Sequence, residues 1–208
     1  MESTIYKMSD KKLNVYVALT ALYCVMLIVT NILANRTFEV WEFMLPSAVI
    51  AFPVIYIVND IMTECYGFKL ASKVIITAFC LNLIAVIVFN LAIQLPTTID
   101  YGAYNIVLGN TLLPLVASVT AYLVGSFVNA KVMDIMKNGK SLFVRCVLST
   151  LFGETLDAAI FITIVFIGVM PFEVVLTMIA TQAIFKTAYE IVVYPITRKV
   201  IGAVKALD

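Results

Sequence analysis

Six stretches of about twenty or more largely apolar residues run through this 208-residue chain, and they constrain its fold more than any other feature. A helix crossing the roughly 30 Å hydrocarbon core of a bilayer needs about 20 such residues. Their positions predict helices over Leu13–Ala34, Leu45–Glu64, Leu70–Gln94, Val107–Met136, Phe143–Val169 and Glu173–Val200. Most are apolar on every side, which excludes a soluble amphipathic bundle. The breakers Pro96, Gly102, Gly109, Gly139 and Pro171 fall between them. The reading is a single-domain, all-α integral membrane protein over residues 1–208 with six transmembrane helices.

Composition agrees. Hydrophobic residues make up 62% and charged residues 13%, against about 45–50% and about 25% in soluble domains. Lys7, Lys11 and Lys12 precede a first run that is long for a signal peptide, and no small-x-small cleavage site follows it. That run therefore reads as the first membrane helix. The net charge is only +1, so no nucleic-acid partner is expected. Cys24, Cys65, Cys80 and Cys146 lack C-x-x-C spacing and histidine is absent. Zinc, other metals and cofactors are therefore not expected, and the cysteines read as reduced, buried thiols.

Basic residues set the expected orientation. With the N-terminus inside, twelve Lys and Arg fall on the inner side, from Lys7 to Lys205, and only Arg36 falls outside. Lys186 lies within the last span. This positive-inside asymmetry predicts that both termini are cytoplasmic.

The functional signal is polar residues inside apolar spans, where an ionised side chain costs roughly 2.5–3.5 kcal/mol on insertion scales. Asn31/Asn35, Asp60/Glu64 and Gln182/Lys186/Glu190 are spaced by four, and Glu154/Asp157 by three. Residues so spaced share a helix face. The stripes are expected to turn inward around one central site, with Lys186 and Asp157 near mid-membrane. Bracing ion pairs, such as Lys186 with Glu190 or Asp157, are the plainer reading of any single residue. Phe52-Pro53 sits within the second predicted span, where proline kinks or breaks a helix. Each half of three helices carries acids on its second helix, a layout compatible with a 3+3 inverted repeat. Ala117, Ala121 and Gly125 follow small-xxx-small spacing, which suits packing within the bundle or, as the sharper alternative, a homodimer seam.

Several of these motifs resemble one family. Asn31-Ile32-Leu33-Ala34-Asn35 closes the first span. Phe52-Pro53-Val54-Ile55-Tyr56-Ile57-Val58-Asn59-Asp60-Ile61-Met62-Thr63-Glu64-Cys65-Tyr66-Gly67 follows. Ser118, Ala121-Tyr122-Leu123, Arg145, Ser149-Thr150, Gly153-Glu154, Asp157, Lys186, Tyr189-Glu190 and Pro195 complete the match. The pattern resembles the vitamin uptake transporter (VUT) family, in particular queuosine-precursor transporters of the YhhQ type. Glu154 departs from it, standing where many relatives carry glutamine.

The resemblance implies a multi-pass protein of the bacterial plasma (inner) membrane. It would import a 7-deazaguanine base or queuine for tRNA modification, by alternating access and with proton coupling as a hypothesis. A guanine-like edge presents a ring N–H beside an exocyclic amine, and one carboxylate can accept both. Asp60, Glu64, Glu154 or Asp157 could supply it. Asn31, Asn35 or Gln182 could read the remaining edge, with Phe52 and Tyr56 stacking on the ring. Lys186 and Glu190 complete the expected substrate-binding set. The alternative is a membrane binding subunit that needs an energising partner. An intramembrane enzyme is disfavoured, since no histidine serves a triad and no GxGD-like context surrounds Asp60 or Asp157.

Overall fold

In the computed structural model, six long helices account for almost all of the described chain, which comprises residues 8–33, 36–40, 43–96, 98, 102, 105, 108 and 112–207. They are α1 (Asp10–Leu33), α2 (Phe52–Tyr66), α3 (Phe68–Ile93), α4 (Leu112–Ile135), α5 (Leu142–Phe166) and α6 (Phe172–Lys205). A short antiparallel hairpin, β1 (Thr37–Val40) with β2 (Phe43–Pro46), follows α1. A 3₁₀ turn over Ser47–Ile50 then leads into α2. Among the described residues, five segments are long and apolar enough to cross a membrane: α1, the 3₁₀ turn with α2, α3, the span Val116–Asn138, and α5. The sixth helix, α6, lies outside that set because Glu173, Gln182, Lys186 and Glu190 interrupt its apolar length.

Two of the described boundaries lie more than four residues from expectation. The second helix starts at Phe52 rather than Leu45, because Leu45 and Pro46 pair in β2. Pro53 therefore sits in the first turn of α2 and not in its interior. A first-turn proline breaks no backbone hydrogen bond, since the earliest amides of a helix have no intrahelical acceptor. The expected mid-helix kink is thus a helix start. The last helix runs past Val200 to Lys205, continuing beyond Pro195. Of the expected start of the fourth helix at Val107, only Leu108 is among the described residues before Leu112.

Gly67 alone separates α2 from α3 at φ 83°. A side chain at that φ would strain the backbone, so glycine permits the abrupt reversal. Gly125 and Gly153 serve a different purpose. A Cβ on Gly125 would come within 2.9 Å of the Gly153 carbonyl oxygen and 2.8 Å of the Tyr56 hydroxyl. A Cβ on Gly153 would come within 2.8 Å of the Gly125 carbonyl oxygen. The backbones of α4 and α5 therefore touch, and α4–α5 is the most extensive helix pair. Ala117 and Ala121 are also buried on α4.

Burial inverts the pattern of a water-soluble protein. Ile84, Ile87, Val88 and Leu91 of α3, and Ile184, Val192 and Ile196 of α6, face outward. Asn59, Asp60, Asn129, Arg145, Ser149, Glu154, Lys186 and Glu190 are buried. Such an apolar exterior suits a hydrocarbon solvent. The main apolar core joins Tyr23 and Leu27 of α1, Ile55, Val58 and Met62 of α2, Val74 and Ile75 of α3, and Tyr122 of α4. The short helix α2 lies at the centre and touches each of the other five.

Candidate functional site

A cavity of about 140 Å³ opens in the half of the bundle where α1 ends and α2, α4 and α6 begin. Its polar lining comes from Thr30 and Asn31 of α1, Ser118 and Tyr122 of α4, Asp157 of α5, and Gln182 and Lys186 of α6. Phe52, Phe161 and Phe185 contribute aromatic wall. Mostly apolar walls with a few convergent polar groups are typical of small-molecule sites.

The floor is an ion cluster. Lys186 Nζ donates to Glu154 Oε2 at 2.5 Å and to Asp157 Oδ2 at 3.4 Å. The three-residue spacing places both carboxyl groups on the α5 face that meets α6. One ammonium thus faces two carboxyl groups, and Glu154 Oε1 is buried without a hydrogen-bond partner among the described residues. The arrangement favours a ligand that brings N–H donors. On the opposite wall Asn31 is pre-oriented: its Nδ2 donates to Asn82 Oδ1 at 2.6 Å, and its Oδ1 accepts from Ser118 Oγ at 3.3 Å.

Two further polar layers continue along α2, α5 and α6. In the first, Asp60, Cys146 and Glu190 gather, with the Ser149 hydroxyl shared between the Cys146 carbonyl oxygen at 2.9 Å and Asp60 Oδ1 at 3.2 Å. Asn59 Nδ2 donates to Asn129 Oδ1 at 2.7 Å and ties α2 to α4 beside them. In the second, at the basic end of the bundle, Glu64 accepts from both Arg145 and Lys205. Arg145 Nε also donates to the Met133 carbonyl at 3.3 Å.

The expected residues therefore divide by depth. Asn31, Phe52, Asp157, Gln182 and Lys186 line the cavity. Glu154 lies beneath its floor, reached through Lys186. Tyr56 is buried beneath Phe52, with ring centroids 5.7 Å apart. Asp60 and Glu190 form the next layer, and Glu64 belongs to the terminal ion cluster, away from the cavity. Asn35 lies outside the described residues.

Sequence reasoning overlooked Thr30, Phe161, Phe185, Asn82 and Cys146. A lone asparagine within an apolar run was a readable signal for Asn82. Phenylalanines in such a run carry no mark that separates cavity wall from lipid face.

A family model described as "putative vitamin uptake transporter" matches residues 46–200. That range covers α2 through most of α6, and so every layer described above except the α1 wall and Lys205 of the terminal cluster. No curated protein and no solved structure is significantly similar to the chain.

Proposed function

Because the chain belongs to the vitamin uptake transporter family, we propose that it imports a queuosine precursor, a 7-deazaguanine base or queuine. The observation that carries this reading is the cavity floor, where Asp157 lines the cavity and holds Lys186 through Oδ2 at 3.4 Å, while Glu154 beneath it takes the shorter contact. A guanine-like edge supplies two adjacent donors to such a carboxylate. Phe52 and Phe161 offer faces to a flat ring, and Gln182 and Asn31 offer amides to its carbonyl and ring nitrogens.

Transport follows by alternating access. With the basic end cytoplasmic, the cavity lies in the outer half, and the Glu64–Arg145–Lys205 cluster closes the inner route. Release then requires that cluster to part and α6 to shift against α2. Family membership makes this a transporter rather than an enzyme, and the long apolar helices make it multi-pass.

The test is uptake of labelled queuine and 7-deazaguanine bases by the purified protein in liposomes. Saturable uptake, lost in Asp157→Asn and Lys186→Met, is expected. Binding without transport would move the protein to the class that needs an energising subunit. Absence of binding would discard the queuosine-precursor assignment.

A further inference from the structure

One layer beyond the cavity floor, Asp60 of α2, Cys146 of α5 and Glu190 of α6 bring one oxygen or sulfur atom each within 4.8 Å of one another. Asp60 is 0% exposed and Glu190 1%. Neither carboxyl group has a cationic partner among the described residues. Lys186, one turn before Glu190, is held by Glu154 and Asp157. Arg145, adjacent to Cys146, is held by Glu64 and the Met133 carbonyl.

A separate observation concerns the unused acceptor. Among the described residues Glu190 Oε1 is buried and accepts no hydrogen bond, whereas the Asp60 oxygens lie 3.2 and 3.4 Å from Ser149 Oγ, whose single proton they share with the Cys146 carbonyl oxygen at 2.9 Å. Two acids in so dry a layer call for one positive charge between them. A hard metal cation would demand six or more oxygens. This layer offers two carboxyl groups, a hydroxyl shared between Asp60 and the Cys146 carbonyl, and a soft thiol. A proton needs no coordination shell.

We infer that the Asp60–Glu190 pair is the proton-loading site of this carrier, with Glu190 as the group that takes the proton. One proton enters from the side of higher proton concentration, rests on Glu190 as a neutral carboxyl group, and leaves to the other side. No bond to the substrate is made or broken. Coupling runs through α6, which carries Glu190 four residues after Lys186 on the same face. A ligand that engages the Lys186 floor therefore acts on the helix that carries the proton.

The surrounding charges are accounted for. From α5 come Cys146, Glu154 and the paired Arg145; from α6, the paired Lys186, with Tyr194 on the next turn; from α2, Glu64 in its own ion cluster. From α4 comes the neutral Asn129. Tyr23 of α1 is turned to Ser126, and Lys69 and Lys73 of α3 are exposed.

The inference rests on the transport reading for its role, and its test includes a readout that needs no substrate. Infrared spectra of the purified protein in lipid are expected to show the carbonyl stretch of a buried protonated carboxyl group. That band should be missing from Glu190→Gln, retained in Glu154→Gln, and unchanged by sodium. A band absent from the wild type, unaltered in Glu190→Gln, or displaced by sodium or zinc would overturn the assignment. With labelled queuine in liposomes, Glu190→Gln and Asp60→Asn should lose accumulation driven by a proton gradient yet keep substrate counterflow, while Glu190→Asp recovers part of the accumulation. Accumulation in Glu190→Gln equal to wild type would also overturn it. If the wild type moves no queuine but the Glu190 band behaves as described, the substrate assignment fails and the proton site stands.

Discussion

The ammonium of Lys186 sits 4.0 Å from the centroid of the Phe52 ring. The contact joins the middle of α6 to the first turn of α2, and so fixes the cavity floor to the helix that touches all the others. A cation over an aromatic face contributes on the order of 0.5–2 kcal/mol, more when desolvated. Phe52→Leu keeps the bulk and removes the π face. It is expected to weaken substrate binding several-fold while leaving the fold intact, as read by binding to the purified protein and by its thermal unfolding.

Lys186→Met should be far more severe. It strands two buried carboxyl groups, and breaking a buried ion pair from one side costs about 3–5 kcal/mol. Glu154→Gln should be milder, because Lys186 keeps Asp157 at 3.4 Å. The double variant Lys186→Met/Glu154→Gln should recover part of the stability lost in Lys186→Met. Thermal unfolding of the four proteins in lipid checks the order. A double variant less stable than Lys186→Met would refute the pairing.

The close crossing of α4 and α5 predicts a steric penalty. Gly125→Ala and Gly153→Ala each push a methyl group to within 2.9 Å of the facing backbone oxygen. Overpacking of this kind costs about 1–3 kcal/mol. The loss should appear as a lower unfolding temperature. Gly139→Ala, with nothing within 4 Å of the added carbon, should leave that temperature almost unchanged.

These sites show what was legible in the sequence and what was not. The apolar runs specified six long helices because lipid demands them. The four-residue spacing of Gln182, Lys186 and Glu190 correctly put all three on one strip of α6. Spacing says nothing about depth, however. A step of four residues climbs about 6 Å, enough to carry Asp60 and Glu64 into different layers with different partners. Pro53 was misread because a helix start inside an apolar run looks like its interior until Leu45 is seen to pair with Phe38. Phe161 and Phe185 stayed invisible because burial against a cavity and exposure to lipid ask for the same side chain.

The terminal cluster yields the last expectation. Glu64 accepts from Arg145 and Lys205, but the two cations differ in setting: the Arg145 side chain is 5% exposed and that of Lys205 49%. Solvent screening limits a half-exposed lysine pair to about 0–1 kcal/mol. Removal of the buried partner leaves Glu64 uncompensated, at about 3–5 kcal/mol. Lys205→Ala should therefore barely move the unfolding temperature, and Arg145→Ala should lower it markedly. Arg145 also bridges α2 to the end of α4 through the Met133 carbonyl, so its loss should loosen the basic end of the bundle. Cys146, the next residue of α5 and wholly buried, reports that loosening. A membrane-permeant thiol reagent should label it faster in Arg145→Ala than in Lys205→Ala. Equal labelling rates in the two variants would show that Arg145 does not hold this end closed.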